Sequence, residues 1–351
     1  MSWVRELARP DIVALKVYEH AAWRPELERL HANELPWSPL GGDPADGLNR
    51  YPEPQPRSLV HRLAALYGVA PESVLVGRGS DEAIDLICRA FCRAGHDGVL
   101  VCPPTFGMYA VSARIQGAQV IEAPLRSAHG FALDEAAVLE RCAPSTKVVF
   151  LCSPNNPTGN LLDEGAMRRI ARALAGRSLV VVDEAYIEFA DRASLAGAVR
   201  EQPNLAVLRT LSKAHGLAGA RCGALLADPE VISLLRKIIP PYAVARLTLD
   251  AALAALEPTA LEATGARLAT LRQERARMLR ELPRLAGVER VWPSDANFAL
   301  AEFADAGAAL ARAAAAGLLV RDARSYPGLA RAVRISIGTP RQNSRLLEAW
   351  S

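Results

Sequence analysis

The chain has 351 residues, of which 50% are hydrophobic and 23% are charged, and its formal net charge at pH 7 is +3. This composition is typical of a globular protein with a large apolar core. Because the charge is nearly balanced and no basic stripe is interleaved with aromatic residues, we expect neither a nucleic acid nor a membrane as a partner. The N-terminal segment lacks the apolar core of a signal peptide, and Arg312 interrupts the most apolar stretch, 306–320.

Cysteine and lysine are used in ways that limit the chemistry. The six cysteines contain no C-x-x-C pair, and no histidine or further cysteine joins Cys88 and Cys92 to complete a metal site. We therefore expect reduced thiols in a cytoplasmic protein and no bound metal. A reaction that needs a primary amine has few candidates, because arginine cannot form an imine and the chain has only four lysines. They are Lys16, Lys147, Lys213 and Lys237.

Short β-branched runs that end abruptly in Gly, Pro, Ser or Asp recur along the first two thirds of the chain. They predict strands at 74–76, 99–101, 148–151, 179–182, 205–208 and 224–227. Helical patterns lie between most of them, which favours an α/β fold with a mostly parallel sheet covered on both faces. In such sheets ligands bind beyond the carboxyl ends of the strands, and the unusual residues of this sequence follow those ends.

The character of the sequence changes after about residue 240. An Ala/Leu/Arg/Glu-rich segment over 249–282 predicts one or two helices, and two short strand patterns follow at 297–301 and 333–337. We predict an N-terminal arm that also forms part of a small domain over 1–42, a large domain over 43–250, and a small α+β domain over 251–351.

Lys213 follows the predicted strand at 205–208 and precedes a glycine-rich turn. Taken alone, a lysine at a strand end is usually a solvated surface residue. Partial desolvation at the mouth of a sheet would instead lower its pKa and make it an amine nucleophile. Arg221, eight residues on, could form an anion site with Ser212. A phosphate held there would anchor a cofactor whose carbonyl faces Lys213.

Two other strand ends carry candidate ligand contacts, each with a simpler structural explanation. In the segment GSDE, Ser80 or Asp81 can cap the following helix, whose free N–H groups would then seat a phosphate, but an ordinary helix cap explains the pattern as well. In SPNNPTG the two asparagines suit a turn, although an Asn at a strand end can also donate a hydrogen bond to a phenolate oxygen.

Asp183 ends an all-apolar predicted strand in the segment DEAY. A buried carboxylate there would be costly without a cationic partner, and a pyridinium nitrogen would supply one. The ion pair would keep the ring protonated as an electron sink. Tyr186, three residues later, can reach the same phenolate oxygen as Asn156.

Six segments in this order and spacing closely resemble the fold-type I aminotransferases, which depend on pyridoxal 5′-phosphate (PLP) and belong to the class II aminotransferase family. The segments are GSDE, CPPTFGMY, SPNNPTG, DEAYIEF, TLSK and AGARCG. Within this class the chain resembles the histidinol-phosphate aminotransferase subfamily almost end to end, from LARPDI and HANE through LNRYPEPQP to PSDANF and VRISIGTPR. The resemblance implies an α/β/α large domain and a smaller α+β domain.

The resemblance also implies roles for the residues that match these motifs. Lys213 is expected to form an imine with the cofactor aldehyde, and Asp183 is expected to pair with the pyridine nitrogen. Phe106 matches the aromatic residue that stacks on the ring, where many relatives have Tyr. The other expected cofactor contacts are Asn156 and Tyr186 at the ring oxygen, and Ser80 and Asp81 (through backbone amides), Ser212 and Arg221 at the phosphate.

Tyr51 matches a tyrosine that reaches the cofactor phosphate of the neighbouring subunit, so the resemblance implies a homodimer with shared active sites. Arg334 matches the arginine that binds a substrate carboxylate. Arg321 and Tyr18 lie where the subfamily contacts substrate, and Asn33 is a further candidate. Without the resemblance either arginine could equally be a solvated surface charge.

The implied reaction moves an amino group between L-glutamate and 2-oxoglutarate on one side and L-histidinol phosphate and imidazole-acetol phosphate on the other, in histidine biosynthesis. Two alternatives in the same class are an aminotransferase of aromatic amino acids and a threonine-phosphate decarboxylase. A non-catalytic PLP-binding regulator would need about 70 further residues with a basic helix-turn-helix. A P-loop nucleotide binder is excluded, because GRGSDE lacks the required spacing and lysine.

Overall fold

Seven strands form the main sheet of the structure, a computed structural model that describes residues 3–18, 24, 27–41 and 47–351. In chain order they are β1 (Val74–Gly77), β2 (Gly98–Val101), β3 (Gln119–Glu122), β4 (Thr146–Cys152), β5 (Leu179–Asp183), β6 (Leu205–Thr210) and β7 (Gly223–Leu226). Their order across the sheet is β1-β7-β6-β5-β4-β2-β3. The strands from β2 to β6 pair in parallel, whereas β7 is antiparallel to both β1 and β6.

All six strands predicted for this region are present, within two residues at either end. The sequence analysis missed β3, an edge strand that pairs only with β2 in the described sheet. Its end residues, Gln119 and Glu122, are exposed, so it lacks the continuous apolar run that identifies a central strand.

Helices cover both faces of the main sheet. They are α1 (Val4–Leu7), α2 (Pro10–Ala14), α3 (Arg57–Tyr67), α4 (Ser80–Phe91), α5 (Met108–Ile115), α6 (Glu135–Arg141), α7 (Glu164–Ala173) and α8 (Pro229–Arg236). Strand β4 shows why both faces are buried: Val149 and Leu151 join the apolar cluster of α3, α6 and α7, whereas Val148 and Phe150 join that of α1, α4, α5 and α8. The alternation of side chains along a strand sends successive residues to opposite faces.

The last hundred residues build a second, antiparallel sheet with the order β10-β11-β9-β8. Its strands are β8 (Val288–Trp292), β9 (Phe298–Phe303), β10 (Arg321–Asp322) and β11 (Ala332–Ser336). The neighbouring helices are α9 (Arg246–Ala255), α10 (Pro258–Glu281), α11 (Ala306–Ala315) and α12 (Pro340–Trp350). The prediction of one or two helices over 249–282 and of strands at 297–301 and 333–337 is confirmed, whereas β8 and β10 were not predicted. Both residues of β10 are exposed, and β8 has one buried residue, Trp292.

Short 3-10 helices join several of these elements. They are Pro71–Ser73, Ser127–His129, Ile187–Phe189, Leu195–Arg200 and Leu282–Arg284. Among the described residues no helix combines the length and the apolar character that a bilayer crossing needs. All six cysteines are buried and free.

The described part of the N-terminal arm packs on the main sheet. Val4 and Leu7 are buried in the same cluster as α8, and Lys237 Nζ donates hydrogen bonds to Val13 O at 2.6 Å and Leu15 O at 3.1 Å. Residues 4–8 therefore lie with the large sheet and not with the smaller one. The domain boundaries at 42/43 and 250/251 remain predictions.

Candidate active site

A cavity of about 280 Å3 opens at the carboxyl ends of β4, β5 and β6, between the main sheet and the smaller one. The parallel strands deliver their C-terminal residues to this edge of the sheet, and β10 and β11 close the cavity from the opposite side. Its lining consists of Gly79, Ser80, Asp81, Phe106, Cys152, Asn156, Asp183, Ala185, Tyr186, Thr210, Ser212, Lys213, Arg221, Arg321, Tyr326 and Arg334.

Asp183 lies at the floor of the cavity, with only 3% of its surface exposed. The Tyr109 hydroxyl donates a hydrogen bond to its Oδ2 at 2.7 Å, and the Ala185 N–H donates to its Oδ1 at 3.0 Å. Burial raises the pKa of Asp183, and these two hydrogen bonds oppose the rise. Within the described residues no side chain forms an ion pair with this carboxylate. The site therefore favours a ligand that presents a cationic N–H to Asp183.

Lys213 is the cavity's amine. Of the four lysines, which all lie in the described ranges, it alone lines the cavity, with Nζ 5.6 Å from the centre of the Tyr186 ring. Desolvation lowers the pKa of Lys213, and the positive charge of Arg334 lowers it further, while Asp81 and Asp183 act in the opposite direction. A lowered pKa increases the fraction of free amine, which is the nucleophilic and basic form.

Helix α4 points its N-terminus at the cavity. The prediction that Ser80 or Asp81 caps this helix is wrong: Ser80 is its first residue, the N-cap is Gly79 at φ +82°, and no side chain caps it. A residue with a Cβ is strained at that φ, and glycine avoids the strain. The uncapped N–H groups and the helix dipole make this end a seat for an anion, which is the role predicted for the segment GSDE.

Arg221 faces the same seat. Its Nη2 is 3.1 Å from Asp81 Oδ2, and its Nη1 donates a longer hydrogen bond of 3.5 Å to Ser212 Oγ. Arg221 adopts φ +54°, a left-handed conformation that is costly for a residue other than glycine. The structure thus brings Ser212 and Arg221, whose side chains were predicted at a phosphate, next to the first turn of α4.

The backbones at this seat approach each other closely. A Cβ added to Gly223 at the start of β7 would lie 2.6 Å from both Gly79 C and Ser80 N, and one added to Gly79 would lie 2.8 Å from Arg221 Nη2. Strand β7 therefore supports the first turn of α4 directly, backbone against backbone, with no room for a side chain between them.

Asn156 and Tyr186 lie together on the wall nearest the smaller sheet. They are 5% and 8% exposed. Asn156 Oδ1 accepts a hydrogen bond from Arg334 Nη1, which leaves the Asn156 amide group free to donate into the cavity. Burial raises the pKa of the Tyr186 hydroxyl, so that it remains a hydrogen-bond donor at neutral pH. Their predicted contacts to a ring oxygen stay predictions.

Two arginines from adjacent strands reach the cavity from the smaller sheet. Arg321 and Arg334 face each other in the register of β10 and β11. Arg334 lies over the Phe298 ring, 5.2 Å from its centre, and its Nε is buried without a hydrogen-bond partner. In the described part of the chain neither guanidinium forms an ion pair with a carboxylate. The pair is thus available to bind an anionic group of a ligand.

Phe106 lines the cavity next to Asp183. Its ring meets Tyr109 edge to face at 5.5 Å, and Tyr109 in turn stacks on Phe150 at 4.7 Å. An apolar ring face at this position suits an aromatic ligand. Sequence reasoning missed Tyr109, although it lies in the quoted segment CPPTFGMY three residues after Phe106. Its nearness to Phe106 in that segment was the available signal.

Three predicted site residues lie outside the cavity of their own chain. Tyr51 is 49% exposed and stacks on Tyr242 with ring centres 4.6 Å apart. Asn33 lines a separate surface depression with Tyr51 and Tyr242, and Tyr18 is 68% exposed. Their predicted ligand contacts stay predictions.

The described geometry fits the cofactor that the sequence analysis expected. The N-terminus of α4 with Arg221 can seat a phosphate, Asp183 is a buried carboxylate without a cationic partner, and Lys213 supplies an amine between them. Each of these groups would complement one part of PLP: its phosphate, its pyridine nitrogen and its aldehyde. The cavity is also close in size to a small-molecule site.

Comparison with known proteins agrees with the fold. The model of the family "Aminotransferase class I and II" matches residues 43–349, and the chain belongs to this family. The chain is 50% identical over 353 residues to the histidinol-phosphate aminotransferase of Stenotrophomonas maltophilia (strain R551-3), a match that covers 99% of this chain and 96% of that protein.

Two solved structures place the chain among enzymes of the same fold. One is histidinol-phosphate aminotransferase from Sinorhizobium meliloti in complex with pyridoxal-5′-phosphate, with a TM-score of 0.76 and 27% identity over 86% of this chain and 82% of that chain. The other is L-threonine-O-3-phosphate decarboxylase from Porphyromonas gingivalis, with a TM-score of 0.74 and 26% identity over 86% of this chain and 90% of that chain. The expected fold-type I architecture is confirmed.

Proposed function

We propose that this chain is a PLP-dependent aminotransferase of histidine biosynthesis. It transfers an amino group from L-glutamate to imidazole-acetol phosphate, which gives L-histidinol phosphate and 2-oxoglutarate. The observation that carries the proposal is the cavity in which Lys213 and Asp183 lie below two arginines that have no carboxylate partner in the described structure. The 50% identity to a protein of that name over 99% of this chain supports the choice of substrate.

PLP, when bound, supplies an aldehyde for the amino group and a protonated ring that accepts electrons from the substrate α-carbon. We assign its phosphate to the N-terminus of α4 together with Ser212 and Arg221, and its pyridine nitrogen to Asp183. Asn156 and Tyr186 would donate hydrogen bonds to the ring oxygen, and Phe106 would pack on the ring face. Each assignment uses a side chain or helix end that lines the cavity.

Lys213 performs the proton transfer at the substrate α-carbon. Its amine lies in a cavity where desolvation and Arg334 lower its pKa, which increases the fraction of the free base. The buried Asp183 holds a fixed negative charge beneath the reacting centre, and its orientation is set by Tyr109 and the Ala185 N–H. Because both hydrogen bonds come from buried groups, no rearrangement of water is needed to keep the carboxylate in place.

Arg334 binds the anionic group that the substrates share, and Arg321 adjusts which substrate is accepted. Glutamate offers carboxylates, whereas histidinol phosphate offers a phosphate ester and an imidazole, so one arginine site must accept both kinds of anion. Arg334 is held by Asn156 and by the Phe298 ring, which makes it the more rigid of the two. Arg321, on the two-residue strand β10, is exposed.

A homodimer with shared active sites is also part of the proposal. Large apolar side chains of the described arm, among them Leu30, Trp37 and Leu40, are 70–92% exposed. They lie close in sequence to Asn33 and Glu34, which line the surface depression with Tyr51. Such exposure is typical of a surface that another chain covers. Tyr51 would then complete the cofactor site of the partner, and Tyr18 and Asn33 would approach the partner's substrate. A cytoplasmic location fits the six unpaired thiols.

A coupled assay of the purified protein tests the proposed function. With histidinol phosphate and 2-oxoglutarate as the only substrates, we expect glutamate to form. Phenylalanine and threonine phosphate, offered separately, serve as comparisons. Preferred transamination of phenylalanine would make the enzyme an aromatic aminotransferase, and release of carbon dioxide from threonine phosphate would make it a decarboxylase. Either result would overturn the proposed substrate while leaving the PLP site in place.

A further inference from the structure

Tyr326 lines the cavity beside the two arginines and lies on the loop that connects β10 to β11. The loop is fixed at both ends by fully buried residues, Ala323 and Leu329. The Tyr326 N–H donates to Ala323 O at 3.1 Å, and the Leu329 N–H donates to Tyr326 O at 3.1 Å. Tyr326 therefore occupies a defined position at the mouth of the cavity, half-buried against the main core.

The Tyr326 hydroxyl has no partner in the part of the chain that the structure describes. Among the described residues it neither donates nor accepts a hydrogen bond, although the side chain is packed against the core. Burial is the main cause of the raised pKa of Tyr186, and the nearby Tyr326 hydroxyl contributes to it. A half-buried phenol that lines a cavity without a partner is available as a donor to a ligand.

Arg321 forms no hydrogen bond or ion pair with any side chain of the described residues. Its neighbour Asp322 is engaged by Arg324, through the side chain at 2.7 Å and through the backbone N–H at 2.9 Å. These contacts lower the pKa of Asp322 to about 2, so it is a carboxylate whose charge is already compensated. The charge of Arg321 also contributes to the lowered pKa of Asp322, but no hydrogen bond or ion pair joins the two side chains in the described residues. Alternation along β10 directs them to opposite faces.

The cavity consequently offers more donors than a carboxylate can use well. A guanidinium binds the two oxygens of a carboxylate in a planar fork, and Arg334 suffices for that. A phosphate monoester has three terminal oxygens in a tetrahedral arrangement and two negative charges near neutral pH. The third oxygen needs a donor outside the plane of the Arg334 fork, and Arg321 and Tyr326 lie around the same cavity.

We propose that Tyr326 is a specificity-determining residue that donates a hydrogen bond to the phosphate of a phosphomonoester substrate and contributes little to the binding of a dicarboxylate. The inference rests on the proposed function and adds to it the residue that distinguishes the two anionic substrates. Tyr326 contacts substrate only and takes no part in the proton transfer at the α-carbon.

Equilibrium binding to the PLP-loaded enzyme tests the role of Tyr326 without turnover. The probes are propyl phosphate, 2-(imidazol-4-yl)ethyl phosphate and glutarate, which all lack an amino group, and the dissociation constants are measured by calorimetry. One hydrogen bond to a charged group corresponds to roughly a 10- to 100-fold change in affinity. We expect Tyr326→Phe to weaken the binding of both phosphate esters by at least about 10-fold, and the binding of glutarate by less than about 2-fold.

The matched control is Ser325→Ala, which removes a hydroxyl from the adjacent, exposed position of the same loop outside the cavity lining. It should leave all three dissociation constants unchanged. Equal losses for esters and glutarate, or no loss for any probe, would overturn the inference. So would a loss confined to the imidazole-containing ester, because Tyr326 would then contact the imidazole. Failure of the wild-type enzyme to bind either ester would overturn the proposed substrate and this inference together.

Discussion

At the scale of single residues, the two groups assigned to catalysis carry pKa shifts that both disfavour their charged forms. Burial raises the pKa of Asp183, and desolvation with Arg334 lowers that of Lys213. Each charged group is therefore less favourable in the folded protein than in the unfolded chain, and a bound cofactor would relieve both penalties. Such costs are common at active sites, where side chains are placed for chemistry and not for stability.

Asp183→Asn tests the electrostatic part of this interpretation. Because the folded-state pKa of Asp183 lies above the unfolded value, ionisation of Asp183 destabilises the folded protein progressively as the pH rises through the folded-state pKa. We expect the cofactor-free variant to be more stable than the wild type near pH 7, because an amide carries no charge to be desolvated. The extra stability of the variant should decline as the pH falls, and it should vanish below the pKa of Asp183 in the unfolded chain. Thermal unfolding of the cofactor-free proteins at several pH values measures it.

PLP should reverse the order of stability. The wild type gains an ion pair on binding the cofactor and the Asn variant does not, so added PLP should raise the melting temperature of the wild type more. The matched control is Asp191→Asn, at an exposed position outside the cavity. It should change neither the stability of the cofactor-free protein nor the rise in melting temperature on adding PLP. A cofactor-free Asp183→Asn protein that is less stable than the wild type near pH 7 would contradict the assignment.

Lys213 can be tested by covalent labelling. Borohydride reduction of the PLP-loaded protein should attach the cofactor to Lys213, and Lys213→Arg should keep the fold but lose labelling and turnover, because a guanidinium cannot form an imine. Peptide mapping by mass spectrometry identifies the labelled residue. Lys16→Arg, at an exposed position, is the control and should behave as wild type. A label on Lys16, Lys147 or Lys237 would show that the amine has been assigned to the wrong residue.

At the scale of elements, the anion seat depends on the contact between β7 and the first turn of α4. Gly223→Ala places a Cβ 2.6 Å from Gly79 C and Ser80 N, which are backbone atoms that cannot move aside cheaply. We expect a loss of about 1–3 kcal/mol in stability, as for other overpacked sites, and a PLP affinity at least about 10-fold weaker because the helix end is displaced. Cofactor titration followed by absorbance measures the affinity.

Gly219→Ala is the control for Gly223→Ala. It lies in the preceding turn, has ordinary φ and has nothing within 4 Å of an added Cβ, so both quantities should remain near wild type. If Gly223→Ala bound PLP as tightly as the wild type, the phosphate would not depend on the position of α4.

At the scale of the whole molecule, the position of Tyr51 predicts the assembly. Consider a mixed dimer with Tyr51→Phe on one chain and Lys213→Ala on the other. If Tyr51 serves the partner's site, one site carries both changes and the other is intact, so about half of the wild-type activity should remain, with normal PLP affinity. If Tyr51 serves its own chain, each site carries one change and no intact site remains.

Tagged co-expression and two-step affinity purification give the mixed dimer, and PLP titration with a turnover assay gives the result. The control is a mixed dimer of wild type with Lys213→Ala, which has one intact site under either arrangement. Activity well below that control would exclude the shared-site model. A monomer in solution, measured by sedimentation, would exclude the dimer itself.

The sequence by itself determined the strands of the main sheet and the residues at their ends. Continuous apolar runs can be satisfied only by strands buried on both faces, and parallel strands bring their carboxyl ends to one edge, so Asp183 and Lys213 had to lie near each other. The helices over 249–282 could be predicted in the same way, because their apolar pattern lies within one continuous segment. Short strands such as β3 and β10 were not predictable, because their residues have no continuous apolar pattern.

Only the tertiary structure decided the contacts between segments that are distant along the chain. Tyr109 reaches Asp183 across 74 residues of sequence, Gly223 supports the turn before Ser80, and Tyr326 meets the arginines at the cavity mouth. The expected cap on α4 failed for the same reason, since that helix end faces a cavity where its N–H groups are left for a ligand. Local periodicity encodes which face of an element is buried, whereas the partner of a polar side chain depends on how separate elements pack.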